Sequence, residues 1–187
     1  MKICYYLAIS ADGFIADPDG GVDWLSPFQS SEQDYGFSEL MGSVDGIIMG
    51  RRTYDQALTL GDWPYGDMPT WVWTTRPIKR PNDSIHTTTQ SPVVFESEHR
   101  QNGFRKLWMV GGANLASQFH ALGLITDYIF TVLPVLLGKG ISPLEGETPQ
   151  ASLVLTGSTR FDGGVIQNHY QFVKPAAEAT GSQSDSP

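Results

Sequence analysis

The chain has 187 residues, one cysteine and a formal charge of −8, with 20 acidic against 12 basic side chains. That length suits one domain able to bury a core without disulfides or metal, and 40% apolar with 11% aromatic residues is a globular composition, not a disordered or fibrous one. The acidic balance argues against nucleic acid as a bulk partner, and no run reaches the ~18 apolar residues of a membrane helix.

The first element, "KICYYLAIS" (2–10), reads as a strand with Cys4 in its core. A single Lys and a run broken at Ser10 and Asp12 do not make a signal peptide, and a lone cysteine is compatible with a reducing compartment, so a cytoplasmic location is expected. "SADGFIADPDGGVDWL" (10–25) mixes Gly and Asp with Phe14, Ile15, Val22, Trp24 and Leu25. Such a loop reads as a flap over a flat ligand, or as a loop packed on the core. Phe37, Leu40, Met41 and Val44 follow i, i+3, i+4, i+7 and predict a helix. "GIIMG" (46–50), "TWVWTT" (70–75), "VVFE" (93–96), "KLWMV" (106–110) and "YIFTVLPVLL" (128–137) read as further strands, the last placed near a sheet edge by its proline. "ANLASQFHAL" (113–122) predicts a second helix on Leu115, Phe119 and Leu122. "LVLTGSTRF" and "VIQNHYQF" flank Asp162-Gly163-Gly164 as an antiparallel hairpin. Strands alternating with helices predict an α/β domain over 1–174 with a central, mostly parallel sheet, and 175–187 reads as a disordered tail. His86, His99, His120 and His169 have no ligand spacing, so no metal site is expected.

Two junctions carry chemistry. In "GIIMGRRTYDQAL" a strand ends at Gly50 and a helix is expected near Thr53, with Arg51 and Arg52 between. Arginines at a strand end, beside the partial positive charge of a helix start, suit an anion; pairing with surface carboxylates is the simpler alternative. "LWMVGGANLASQF" (107–119) is strand, Gly-Gly, helix, which lets a pyrophosphate approach or merely makes a tight turn. Neither junction is a GxGxxG or a P-loop. Two anion-suited strand ends in one sheet favour a dinucleotide.

The order of "SADGFIA", "IIMGRRTY", "VWTTR", "WMVGGANLASQF", "LITDYIFTVLPVLLGKGISPL" and "TRFDGGVIQNHYQF" resembles the dihydrofolate-reductase-like superfamily, in particular stand-alone relatives of the riboflavin-biosynthesis reductase domain, over nearly all of 2–173. The resemblance implies an NADPH-dependent reductase acting on a pterin- or ribosylaminopyrimidine-like heterocycle. It places Gly50, Arg51, Arg52 and Thr53 near the 2′-phosphate and adjoining phosphates, and Thr75 and Arg76 on the adenosine side. Gly111, Gly112, Ala113 and Asn114 fall at the pyrophosphate, and Ala8, Ile15 and Ala16 at the nicotinamide. It also implies Asp34 as the substrate-facing carboxylate, with Glu32 and Glu39 as rivals. Asp34 shares the spacing of Phe37 and Met41, yet "SSEQD" could equally be an acidic helix start. Relatives commonly form homodimers, expected here at the apolar "TVLPVLLGKG" edge. Two departures stand out. About ten residues separate 93–96 from 106–110, leaving little room for a helix often found there, and no zinc-deaminase signature is present. The rival function is a module that binds the nucleotide without turnover.

Overall fold

A computed structural model describes residues 1–29, 33–59 and 61–174. The tail reading for 175–187 and the candidate Glu32 lie outside the described residues. Six strands run parallel to one another: β1 (Lys2–Ser10), β2 (Gly46–Gly50), β3 (Thr70–Trp73), β4 (Ile85–Thr88), β5 (Lys106–Gly111) and β6 (Asp127–Leu133). β7 (Ser152–Arg160) and β8 (Ile166–Val173) form the antiparallel hairpin, turning at Asp162–Gly164, and β8 pairs with β6. The sheet order is β4-β3-β2-β5-β1-β6-β8-β7.

Strand alternation sorts the core onto two faces. Ile3, Tyr5 and Leu7 point to one face, where they meet Phe95 of α3 (Pro92–Gln101) and Leu115 and Phe119 of α4 (Ala113–Ala121). Cys4, Ile47 and Met49 point to the other, against Leu40 of α1 (Phe37–Ser43) and Tyr54 of α2 (Arg51–Ala57). Cover on both faces explains why the central strands read as unbroken apolar runs. Burial pushes the Cys4 thiol up to about 12, so it stays protonated in this core.

The connectivity places two crevices on one edge of the sheet. The chain leaves β2 through α2 toward β3, and leaves β5 through α4 toward β6, so the connections diverge between β2 and β5. It also leaves β1 toward β2 and β6 toward the hairpin, diverging between β1 and β6. Ligand sites in open α/β sheets form at such points, outside the carboxyl ends of the strands.

Three sequence expectations are corrected. "VVFE" is not a strand but the first turns of α3: Ser91 caps it by accepting from the Val94 N–H at 3.4 Å, and Pro92 occupies the first turn. Val93 and Val94 are 51% and 46% exposed, while Phe95 is buried with His99 stacked on it at 3.9 Å. The apolar pair that mimics a buried strand therefore faces outward, and the helix expected to be missing is this one. β4 went unread because only Ile85 of "IHTT" is buried. Finally, β6 stops at Leu133 before Pro134 and lies between β1 and β8, not at an edge.

The loop after β1 is pinned to the segment after β6. The Ile15 N–H donates to the Ile141 carbonyl at 2.8 Å and the Ile141 N–H to the Ala16 carbonyl at 2.9 Å. Asp12 accepts from the Leu137 and Gly138 N–H groups at 3.1 and 2.7 Å. A Cβ at Gly140 would lie 2.2 Å from the Ala16 oxygen, so only glycine lets the two segments meet.

Candidate active site

The crevice between β2 and β5 opens into a cavity of about 1020 Å³. Its floor is the meeting of the two glycine junctions. Gly112 has φ +87°, and a Cβ there would lie 3.3 Å from the Gly50 Cα. The approach depends on glycine at 112, since a Cβ at Gly50 would stand at an ordinary 3.6 Å from the Gly112 Cα. α4 starts at Ala113 with no side-chain cap, so its first-turn N–H groups are available at the cavity wall.

The two arginines are not equivalent. Arg51 Nε donates to both Asp55 carboxylate oxygens at 2.7 Å, and its Nη1 donates to the Pro77 carbonyl at 3.0 Å. Arg52, exposed at the same wall, has no ion pair or hydrogen bond among the described residues. Arg51 thus matches the surface-carboxylate alternative, while the Arg52 guanidinium is unengaged among the described residues.

Most of the expected cofactor residues converge here. Ile15, Ala16, Gly50, Arg51, Arg52 and Thr53 line the cavity, as do Thr75, Gly112, Ala113 and Asn114. Three lie elsewhere. Gly111 is the buried end of β5, Arg76 is exposed outside the lining, and Ala8 opens into a second cavity. Sequence reasoning missed Gln56 and Thr59, four and seven positions after Arg52, and Gln118, which donates to Asn114 at 3.0 Å one turn away. Helical spacing from residues already singled out would have found them. Thr88 and Thr89, at the end of the polar edge strand, gave no apolar signal. The Gln56 side chain also donates to the Gly20 carbonyl at 2.9 Å, tying α2 to the loop after β1 from wall to wall.

The second cavity, about 370 Å³, lies between the ends of β1 and β6. Tyr6 and Ala8 come from β1, Thr131 and Leu133 from β6, Phe37 from α1 and Phe28 from the turn before it. Gln167 of β8 fixes one wall by donating to Thr131 Oγ1 at 2.8 Å and to the Tyr35 carbonyl at 2.7 Å.

Asp34 lines this cavity but does not share the inward face of α1, because the helix begins three residues later. Its carboxylate accepts from the Gly36 and Ser38 N–H groups, both at 3.0 Å. Hydrogen bonds from the Ser38 side chain and backbone, then from Gly36, hold its pKa below the usual carboxylate value. Glu39 is exposed and outside the lining.

No helix among the described residues is long and apolar enough to cross a membrane. The chain is similar over its whole fold to known proteins. The RibD C-terminal domain family matches residues 1–167. YwjB of Bacillus subtilis strain 168, an uncharacterised protein, is 35% identical over 170 residues, covering 90% of this chain and 97% of YwjB. A crystal structure from Shewanella sp. PV-4, assigned to riboflavin biosynthesis, superposes with a TM-score of 0.83 at 29% identity, over 93% of this chain and 100% of that one. The Thermotoga maritima diaminohydroxyphosphoribosylaminopyrimidine deaminase/5-amino-6-(5-phosphoribosylamino)uracil reductase shares the fold at a TM-score of 0.68 and 13% identity, covering 92% of this chain and 56% of that larger one. With its eight-stranded, mostly parallel sheet and C-terminal hairpin, and a match running from the first residue to the start of β8, this chain belongs to the RibD C-terminal domain family.

Proposed function

We propose that the protein is an NADPH-dependent reductase, with the dinucleotide along the β2–β5 crevice and a small heterocycle in the β1–β6 cavity. The observation that carries this reading is the close approach of Gly50 and Gly112 below a large cavity, with an uncommitted Arg52 at its wall. That cradle fits a pyrophosphate, since any Cβ at Gly112 would crowd the floor on which the phosphates rest. NADPH, when bound, supplies the hydride. Gly112 and the first N–H groups of α4, at Ala113 and Asn114, hold the pyrophosphate. Arg52 takes the 2′-phosphate, Arg51 and Thr53 line the approach to it, and Thr75 flanks the adenosine. Ile15 and Ala16, fixed by the Ile141 ladder, exclude water from the nicotinamide side, with Ala8 facing the substrate.

Asp34 is proposed to anchor the substrate through an N–H group. Its lowered pKa supports an ionised acceptor over a proton donor at neutral pH. Titration with NADPH and NADH, followed through the fluorescence of Trp73 in the cavity wall, tests the cofactor assignment. Tighter binding of NADPH is the expected result. No binding of either dinucleotide would leave the family standing and the reductase reading without support.

The expected homodimer moves to the hairpin. β7 is the sheet edge, and Leu153, Val154 and Leu155 on it are exposed, as are Ile166 and Val173 of β8. An unpaired apolar edge is normally covered, and we propose a second copy as the cover. Sedimentation should then give twice the 20.5 kDa of one chain. Monomers at micromolar concentration would refute the pairing.

A further inference from the structure

The charges of this chain are segregated. Residues 3–50 contain eight acidic side chains and no Lys, Arg or His, leaving 12 acidic against 12 basic in the remainder. That stretch supplies β1, the loop over the cavities, α1 and β2, and hence most of the wall of the smaller cavity. The formal charge of that stretch is negative, and Asp34 is the charged group among the described lining residues. The three positions between Gln29 and Gln33 are Ser, Ser and Glu, so none of them can add a cation.

A phosphate needs Arg or Lys, a helix N-terminus or a nest of free N–H groups. None is offered. The N–H groups at the start of α1 are already engaged by the Asp34 carboxylate. Arg160, on the nearby hairpin, pairs with Ile166 and so points to the sheet face opposite Gln167, which walls the cavity. Arg51 and Arg52 line the other cavity. What remains is a mostly apolar wall of Tyr6, Phe28, Tyr35, Phe37 and Leu133, with the neutral Gln29, Gln33 and Thr131 beside them and the exposed Asp34 carboxylate at the rim.

We infer that the smaller cavity takes an uncharged or cationic flat ring and rejects a phosphorylated one. This rests on reading that cavity as the substrate compartment. It sets the chain apart from the Thermotoga reductase, whose named substrate carries a phosphoribosyl group. The physical reason is desolvation without a balancing charge: an anion entering this mostly apolar pocket past the exposed Asp34 carboxylate loses hydration and meets no cation among the described lining residues.

The test uses three one-ring probes of similar size, benzamidine (cationic), benzyl alcohol (neutral) and phenyl phosphate (anionic), with binding measured by ligand NMR on the full chain without dinucleotide. Benzamidine and benzyl alcohol are expected to bind at least about tenfold tighter than phenyl phosphate. Asp34→Asn keeps an acceptor for the helix start and should weaken benzamidine about threefold or more while sparing benzyl alcohol. Gln29→Arg places a cation at the exposed rim and should bring phenyl phosphate to parity with benzyl alcohol. Because Gln29 and Asp34 line this cavity and not the larger one, those shifts also locate the binding. Phenyl phosphate binding as tightly as the others to the natural chain, or none of the three binding at millimolar concentration, would overturn the inference. The dinucleotide titration is separate, so failure of the reductase reading and failure of the charge argument are distinguishable.

Discussion

Arg52→Ala is expected to weaken NADPH binding by about 10- to 100-fold and to leave NADH within about twofold. The magnitude follows from one charge-assisted contact to phosphate, about 1.5–3 kcal/mol, at about 1.4 kcal/mol per factor of ten. The assignment turns on what the side chain does without ligand. Arg52 has no partner among the described residues, so its guanidinium gives up no existing bond when phosphate arrives. Arg51 is bound to Asp55 and to the Pro77 carbonyl, so Arg51→Ala should act by loosening that wall, weakening both dinucleotides by a similar, smaller factor of about three. Fluorescence titration of the two variants with both dinucleotides separates the cases. Equal losses of NADPH and NADH in Arg52→Ala would move Arg52 from the 2′-phosphate to the shared pyrophosphate.

Gly112→Ala is expected to lower dinucleotide affinity at least tenfold and stability by about 2 kcal/mol, or about 5 °C in Tm. Two costs combine at this position. The backbone has φ +87° and ψ 97°, outside the regions open to alanine. The new Cβ would stand 3.3 Å from the Gly50 Cα, with backbone in place of a yielding side chain behind it. The junctions must part, and the phosphate floor parts with them. Gly163→Ala is the control: its φ is +70° but nothing lies within 4 Å of its Cβ, so it should lose some stability and no dinucleotide affinity. Thermal melts and the same titrations read both. Unchanged affinity in Gly112→Ala would show that the cradle does not hold the phosphates.

What could be read from the sequence divides along a physical line. Strands β1, β2 and β5 were legible because both faces are covered, which writes an unbroken apolar run into the chain. β4 was not, since an edge strand with one buried residue carries no such pattern. "VVFE" misled for the converse reason: two adjacent exposed valines imitate a buried strand, while the helix signal lay just upstream in Ser91-Pro92. The larger cavity was legible because each strand–glycine–helix junction is local, a few residues long. The smaller one was not. It joins residues from β1, the stretch before α1 and β6, more than 120 positions apart, and only the β1–β6 pairing brings Ala8 to Thr131. Asp34 shows the limit of spacing arguments, because a carboxylate in phase with a helix face was in fact tying off the helix start.

The hydrogen bond from Gln56 to the Gly20 carbonyl has a kinetic side. It joins the two walls of the larger cavity through one neutral contact, a restraint of about 1 kcal/mol. A latch that weak opens on its own at the microsecond pace of loop motion or faster. A dinucleotide bound there, as proposed, would then leave and be replaced without any strand of the sheet giving way, and its residence would depend on its own contacts and not on the door.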